Sequence, residues 1–383
     1  MHHLLFARTA LLLACAGLGL AAFAAKSEKG NVMYPQLVDV CQRMAAGKHV
    51  TVAYLGGSIT WGATATDPMK TSYRALTTKY LETAYPNAHI TAVDAAIGGT
   101  GSALGVFRMD RDVLPYQPDL TFVEFAVNDS GDPNTQETME GIVRKLRTAN
   151  PNMAIVILNI GAGYDYKVTP ASFKHQELAA HYGLPLIDIG TQVQDKVKNK
   201  ELDGHAILTD GCHPNDNGYR IYTSIIVDEL NRLLLVKGTA ITALAAPMTP
   251  NRYETAAMLE LSTLPALSSD WKRDTPAVVG TWFDHTPSRW MSSVIVATKD
   301  NATLTFDLNC KGVGLYYEIM KGGSLLHLSA TGLKPMDIAS KMDLDYGRVS
   351  YQFQLGDTLQ KRTITLTADS KNTARVAYLF YTK

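Results

Sequence analysis

The chain has 383 residues, and its 36 Lys and Arg balance 36 Asp and Glu, so it carries no net charge at neutral pH. That length suits two domains with a sizeable core in each, and the charge balance argues against a nucleic-acid protein, which needs clustered basic side chains to hold phosphates. With 46% hydrophobic residues the composition also excludes a disordered chain.

Residues 1–25 read as a signal peptide. Arg8 precedes an apolar run, and Ala22-Phe23-Ala24 supplies the small-x-small pattern of a cleavage site. The run is shorter than the ~20 residues of a spanning helix. Export to the periplasm or medium is therefore expected, with no stable membrane span after cleavage. Lipid attachment at Cys15 is disfavoured by Leu13. Beyond the leader stand Cys41, Cys212 and Cys310. That odd count leaves either one bridge and a free thiol or three free thiols. No Cys-x-x-Cys or His-Glu-x-x-His occurs, so no metal site is expected.

Over residues 26–237, β-branched runs alternate with helical segments. Strands are predicted at 49–55, 89–95, 119–127, 153–160 and 184–189, with helices at 72–84, 135–148, 171–181 and 217–235. Such alternation implies parallel pairing, right-handed crossovers and helices on both faces of one sheet. Residues 238–275, rich in Ala, Thr, Pro and Ser, read as a linker or wrapping segment with one short helix around 253–261. From 276 to 383 the hydrophobic period becomes two, at 303–308, 312–317, 349–355, 362–367 and 376–381. Short alternating strands of this kind predict an antiparallel β-sandwich.

In a parallel sheet the site lies at the carboxyl ends of the strands. Gly56-Gly57-Ser58 follows the first strand and leaves a serine at a strand-to-helix corner. Ile97-Gly98-Gly99-Thr100-Gly101 follows the second, and Ala126-Val127-Asn128-Asp129 the third. Asp210-Gly211-Cys212-His213-Pro214-Asn215 precedes the last helix. A serine hydroxyl needs an adjacent base, which neutral imidazole supplies. The imidazole needs a carboxylate on its other nitrogen, and Asp210 stands three residues before His213. Donors for the oxyanion are available from the Ser58 N–H, a glycine N–H and the Asn128 amide.

These four blocks, in this order, resemble the SGNH (GDSL-type) hydrolase superfamily over residues 48–236. The resemblance implies a flavodoxin-like three-layer α/β/α domain. It puts the nucleophile on Ser58, the general base on His213 and the orienting acid on Asp210, with Ser58, Gly99 and Asn128 as oxyanion donors. Gly99 is preferred to Gly98 because it stands five residues after Asp94, the place of the family's second-block Asn. The sequence departs from the family with Gly57 before the serine, Ala126 where Gly is usual, and Asp94 itself. The Gly-x-Ser-x-Gly elbow of α/β-hydrolases is absent around Ser58.

Other residues have structural and functional readings side by side. Trp61 suits either a pocket wall or core packing. Tyr164, Asp165, Tyr166 and His205 lie near the expected rim and are candidate substrate contacts. His49, His89, His175 and His181 read as structural, and Cys212 as a small buried side chain. Trp282, Trp290, Tyr316 and Tyr317 would favour glycan binding if exposed as a flat patch, but are expected inside the sandwich.

Together these readings predict an exported serine esterase with a C-terminal β-sandwich (jelly-roll-like) domain, needing no metal or organic cofactor. Exported members with such a sandwich resemble carbohydrate esterases, which implies an acylated carbohydrate as substrate, most plainly O-acetyl groups. A lipid or aryl esterase, an O-acyltransferase on the same triad, and a non-catalytic carbohydrate-binding protein remain alternatives at this stage.

Overall fold

The computed structural model of the chain describes residues 32–237, 239–240, 243–277, 287–342, 348–371 and 373–383. The expected leader with Cys15, and Trp282, lie outside the described residues.

A short parallel pair joins β1 (Val32–Met33) to β7 (Thr239–Ala240). The main sheet is built from β2 (His49–Gly56), β3 (His89–Ala96), β4 (Leu120–Glu124), β5 (Ala154–Asn159) and β6 (Leu186–Asp188). All its pairs are parallel, in the order β3-β2-β4-β5-β6, the flavodoxin-like arrangement. In β5 every residue is buried. Its side chains alternate between two cores: Ile155 and Ile157 face one layer, Val156 and Leu158 the other. A sheet covered on both faces has no polar side to show, which is why this strand is a continuous apolar run.

Helices Ser102–Asp112, Pro133–Ala149 and Pro170–Tyr182 supply one layer through Phe107, Ile142 and Leu178. Helices Pro35–Ala45, Tyr73–Ala84 and Asp216–Leu234 supply the other through Val40, Leu81 and Ile226. Helix starts follow local chemistry. Ser72, Asp132, Thr169 and Asn215 each accept a backbone N–H of the first turn. Helices Pro35–Ala45, Ser102–Asp112 and Ile189–Lys198 lie where no helix was predicted.

The C-terminal unit is a β-sandwich. One sheet runs β15 (Arg348–Gln354), β12 (Val313–Ile319), β17 (Arg375–Tyr381), β10 (Val294–Ala297) and β9 (Trp271–Asp274), and β8 (Ala257–Glu260) also pairs with β17. The second sheet is β11 (Ala302–Cys310), β16 (Gln360–Ala368), β13 (Leu325–Ala330) and β14 (Met336–Ala339). Two of these strands correct the sequence reading. The short helix expected around 253–261 is instead β8, and β9 comes from the same segment, because both find open hydrogen-bonding edges in the sandwich.

The six-stranded sheet is itself buried on both faces. Val376 and Leu379 point into the sandwich, whereas Ala377 and Phe380 pack on the α/β unit. Phe380 stacks on Phe107 with ring centroids 4.4 Å apart. Tyr317 lies in the sandwich core, as expected, but Tyr316 and Trp290 are buried against the α/β layer. None of the three forms an exposed patch.

Candidate active site

The loops after β2, β3 and β4 converge on one crevice. β2 ends at Gly56, and Ser58 opens the short helix Ser58–Trp61. Gly57 is the pivot: a Cβ there would collide with the Asn128 carboxamide and lie 3.1 Å from the Thr100 carbonyl. A single glycine thus lets the second and third blocks close on the serine turn. Gly99 is exposed with φ +71°, whereas Gly98 is buried.

Ser58 Oγ lies 2.9 Å from His213 Nε2, and both side chains are nearly buried. His213 Nδ1 lies 2.7 Å from Asp210 Oδ2. The other carboxylate oxygen, Oδ1, accepts the backbone N–H of Cys212 at 3.0 Å and of His213 at 2.8 Å. Partial burial opposes ionisation of Asp210, but these bonds from the His213 backbone and ring and from Cys212 hold its carboxyl below the usual range. The loop is closed by Thr209 N–H donating to the His213 carbonyl at 2.8 Å. Asn215 then caps the last helix, accepting from Asn217 and Gly218 N–H. The Pro-Asn that follows the histidine therefore aims the loop as well as starting the helix.

The remaining candidates divide. Trp61 ends the serine turn and is partly exposed. Tyr164 and His205 are exposed and stack on one another. Tyr166 is a correction: it is wholly buried, with its hydroxyl bonded to Tyr222, so it cannot meet a substrate. Its backbone is left-handed, with φ +54°, and its ring lies inward although its place after the fourth strand suggested the rim. His175 is buried, with Nε2 3.4 Å from Asp129. Cys41, Cys212 and Cys310 are all free thiols. Burial pushes the Cys212 thiol up to about 11, which leaves it unreactive at neutral pH.

Sequence reasoning missed the layer beneath the crevice. Arg108 is buried and donates to the carbonyls of Gly56 and Ala95, at the ends of β2 and β3. Arg289 donates to the Ala96 carbonyl and to Asp94, which also meets Arg74 at 3.0 Å. Glu124, at the end of β4, accepts from Thr60, whose hydroxyl in turn meets Tyr73. Burial raises the Glu124 carboxyl to about 7. Arg108 carried one usable signal, since it falls four residues after Leu104 on the apolar stripe of its helix.

Residues 54–221 match the GDSL-like lipase/acylhydrolase family. The matched segment lies within the α/β unit. Acyl hydrolysis is the chemistry that family's name gives, and the chain is a carboxylic ester hydrolase. Among solved structures, a two-domain esterase active on acetylated mannans, crystallised with mannopentaose, is 23% identical with TM-score 0.77, over 92% of this chain and 95% of that one. A second crystal structure described as a two-domain esterase active on acetylated mannans gives 22% identity and TM-score 0.75, over 91% and 95%. These likenesses extend the shared fold across both units. No curated protein sequence matches this chain. Among the described residues, no helix is long and apolar enough to cross a membrane.

Proposed function

We propose that the protein is an exported serine esterase that removes O-acetyl groups from a polysaccharide or oligosaccharide. The observation that carries this reading is the unbroken line Ser58 Oγ–His213 Nε2–Asp210 Oδ2, at 2.9 and 2.7 Å.

In this reading His213 Nε2 takes the Ser58 proton as Oγ attacks the ester carbonyl. Asp210 accepts the Nδ1–H and stabilises the imidazolium. The oxyanion accepts from the N–H groups of Ser58 and Gly99 and from the Asn128 amide, each worth roughly 3–4 kcal/mol of barrier. His213 returns the proton to the departing sugar oxygen as the C–O bond breaks. Water, deprotonated by the same imidazole, then releases the acetyl group from Ser58. No step asks for a metal or organic cofactor. An acetylated glycan is supported by the whole-chain likeness to an esterase active on acetylated mannans. Export is supported by the apolar leader with its small-residue cleavage pattern.

The test is acetate release from 4-nitrophenyl acetate and from a panel of acetylated polysaccharides, with wild type beside Ser58→Ala. The expected result is a loss of at least ~10³-fold in the variant, with a polysaccharide the better wild-type substrate. Equal rates for the two proteins would overturn the role of Ser58.

A further inference from the structure

We infer that Tyr164 and His205 form an aromatic platform for a neighbouring sugar ring of the glycan, and that the groove beside them carries the chain away from the acetylated residue. This inference rests on the carbohydrate-esterase reading above.

Tyr164 is 37% exposed, and its ring stacks on His205 with centroids 3.8 Å apart and planes 20° from parallel. It sits directly beside the catalytic loop. A Cβ on Gly211, the residue after Asp210, would touch the Tyr164 ring at 3.5 Å, and Gly163 N–H donates to the Gly211 carbonyl at 2.7 Å. An aromatic ring so close to the acid and base is within reach of a polymer whose ester lies at Ser58.

The surrounding backbone holds that ring in place. Ala162 and Lys167 exchange two hydrogen bonds, of 2.9 and 2.7 Å, across the loop. Tyr166, in the left-handed region, anchors the loop from below through its buried ring. The Tyr164 carbonyl packs onto Gly204 where any side chain would collide. A non-glycine residue keeps left-handed backbone where the surroundings over-determine it. Here the outcome is an exposed tyrosine fixed in one place, which lowers the entropy cost of binding.

Next to the ring opens a groove of about 330 Å³, where Val197 and Leu202 line the wall together with Lys200, Glu201 and Asp203. That volume is at the lower end of the ~300–1,000 Å³ of small-molecule sites. Its chemistry is mixed. Apolar Val197 and Leu202 beside one ammonium and two carboxylates suit a ring that presents both C–H faces and hydroxyl groups.

The experiment compares wild type, Tyr164→Ala, Tyr164→Phe and His205→Ala on acetylated mannan, acetylated xylan and 4-nitrophenyl acetate. For Tyr164→Ala the ratio of kcat/KM on the preferred glycan to that on the small ester should fall about tenfold, mainly through KM. Tyr164→Phe, which keeps the ring, should recover most of that ratio. Should Tyr164→Ala fail to fold, His205→Ala removes the exposed partner of the stack and is read in the same way. An unchanged ratio in a protein that deacetylates a glycan would overturn the platform alone. A wild type that cleaves 4-nitrophenyl acetate but neither glycan would overturn the carbohydrate reading, and the platform with it.

Discussion

Asp94 at the carboxyl end of β3 and Arg289 just before β10 meet at 2.6 Å, across the junction of the two units. Arg289 also donates to the Ala96 carbonyl at 3.1 Å, immediately before the Ile97–Gly101 loop. The sandwich thereby grips the strand end that carries Gly99. Loss of this grip should let the loop drift, and with it Gly99, the proposed oxyanion donor, for which misplacement by even 1 Å is costly. Arg289→Ala is expected to lower kcat on 4-nitrophenyl acetate about tenfold with little change in KM. A double-mutant cycle with Asp94→Asn should return a coupling of roughly 0.5–3 kcal/mol. Additive effects would show that the contact does not act as a pair.

Asp210→Asn separates the two duties of one carboxylate. An asparagine Oδ1 can still accept the Cys212 and His213 N–H groups, so the loop should keep its shape. Its amide would instead donate toward His213 Nδ1, forcing the proton onto Nε2, where it cannot accept from Ser58. The expected result is a fall in kcat of roughly 10⁴-fold with an unaltered melting curve. A fall in stability that tracks the loss of activity would point to loop collapse instead.

Glu124 predicts a pH dependence of stability. Burial raises its folded-state carboxyl to about 7 from an ordinary value of 4.5. The folded protein therefore holds that proton more tightly than the unfolded chain does. The stabilisation is present in full below the ordinary value and is lost as pH rises through about 7. Glu124→Gln cannot ionise, yet it still offers an acceptor to Thr60. Its melting temperature relative to wild type should be higher at pH 8 than at pH 5, and a constant difference would refute the assignment.

Phe107 tests whether the two units unfold together. Its ring is buried in the α/β layer and contacts Phe380, Phe353 and Tyr253, with centroids 4.4, 4.8 and 6.0 Å away. Truncation to alanine should cost about 3–5 kcal/mol. We expect one denaturant transition for wild type and an earlier or divided transition for Phe107→Ala. Identical midpoints would mean that the interface contributes little.

Much of the α/β unit was legible because its signals are local. The buried strands are apolar runs, the helices carry caps, and Gly-Gly-Ser and Asp-x-x-His each encode a turn within a few residues. Helix Ile189–Lys198 was hidden because it starts directly on the last residue of β6, with Asp188 as its cap, so no break separates the two elements. Strand β8 was misread as helix because four residues carry too little periodicity, and its partner β17 lies over a hundred positions along the chain. Tyr166 was misplaced because its direction depends on a positive φ that nothing in the side-chain pattern announces.

Residue order alone places Ser58, Gly99 and Asn128 after successive strands, and Asp210 three residues before His213 ahead of the last helix. The distances between them come from tertiary packing. The 2.9 Å approach of Ser58 to His213 spans 155 positions, and the Asp94–Arg289 contact spans 195. The buried setting of Glu124 likewise comes from neighbours far along the chain. Local propensity fixes backbone turns, but desolvation and charge pairing arise only when remote segments close over one another.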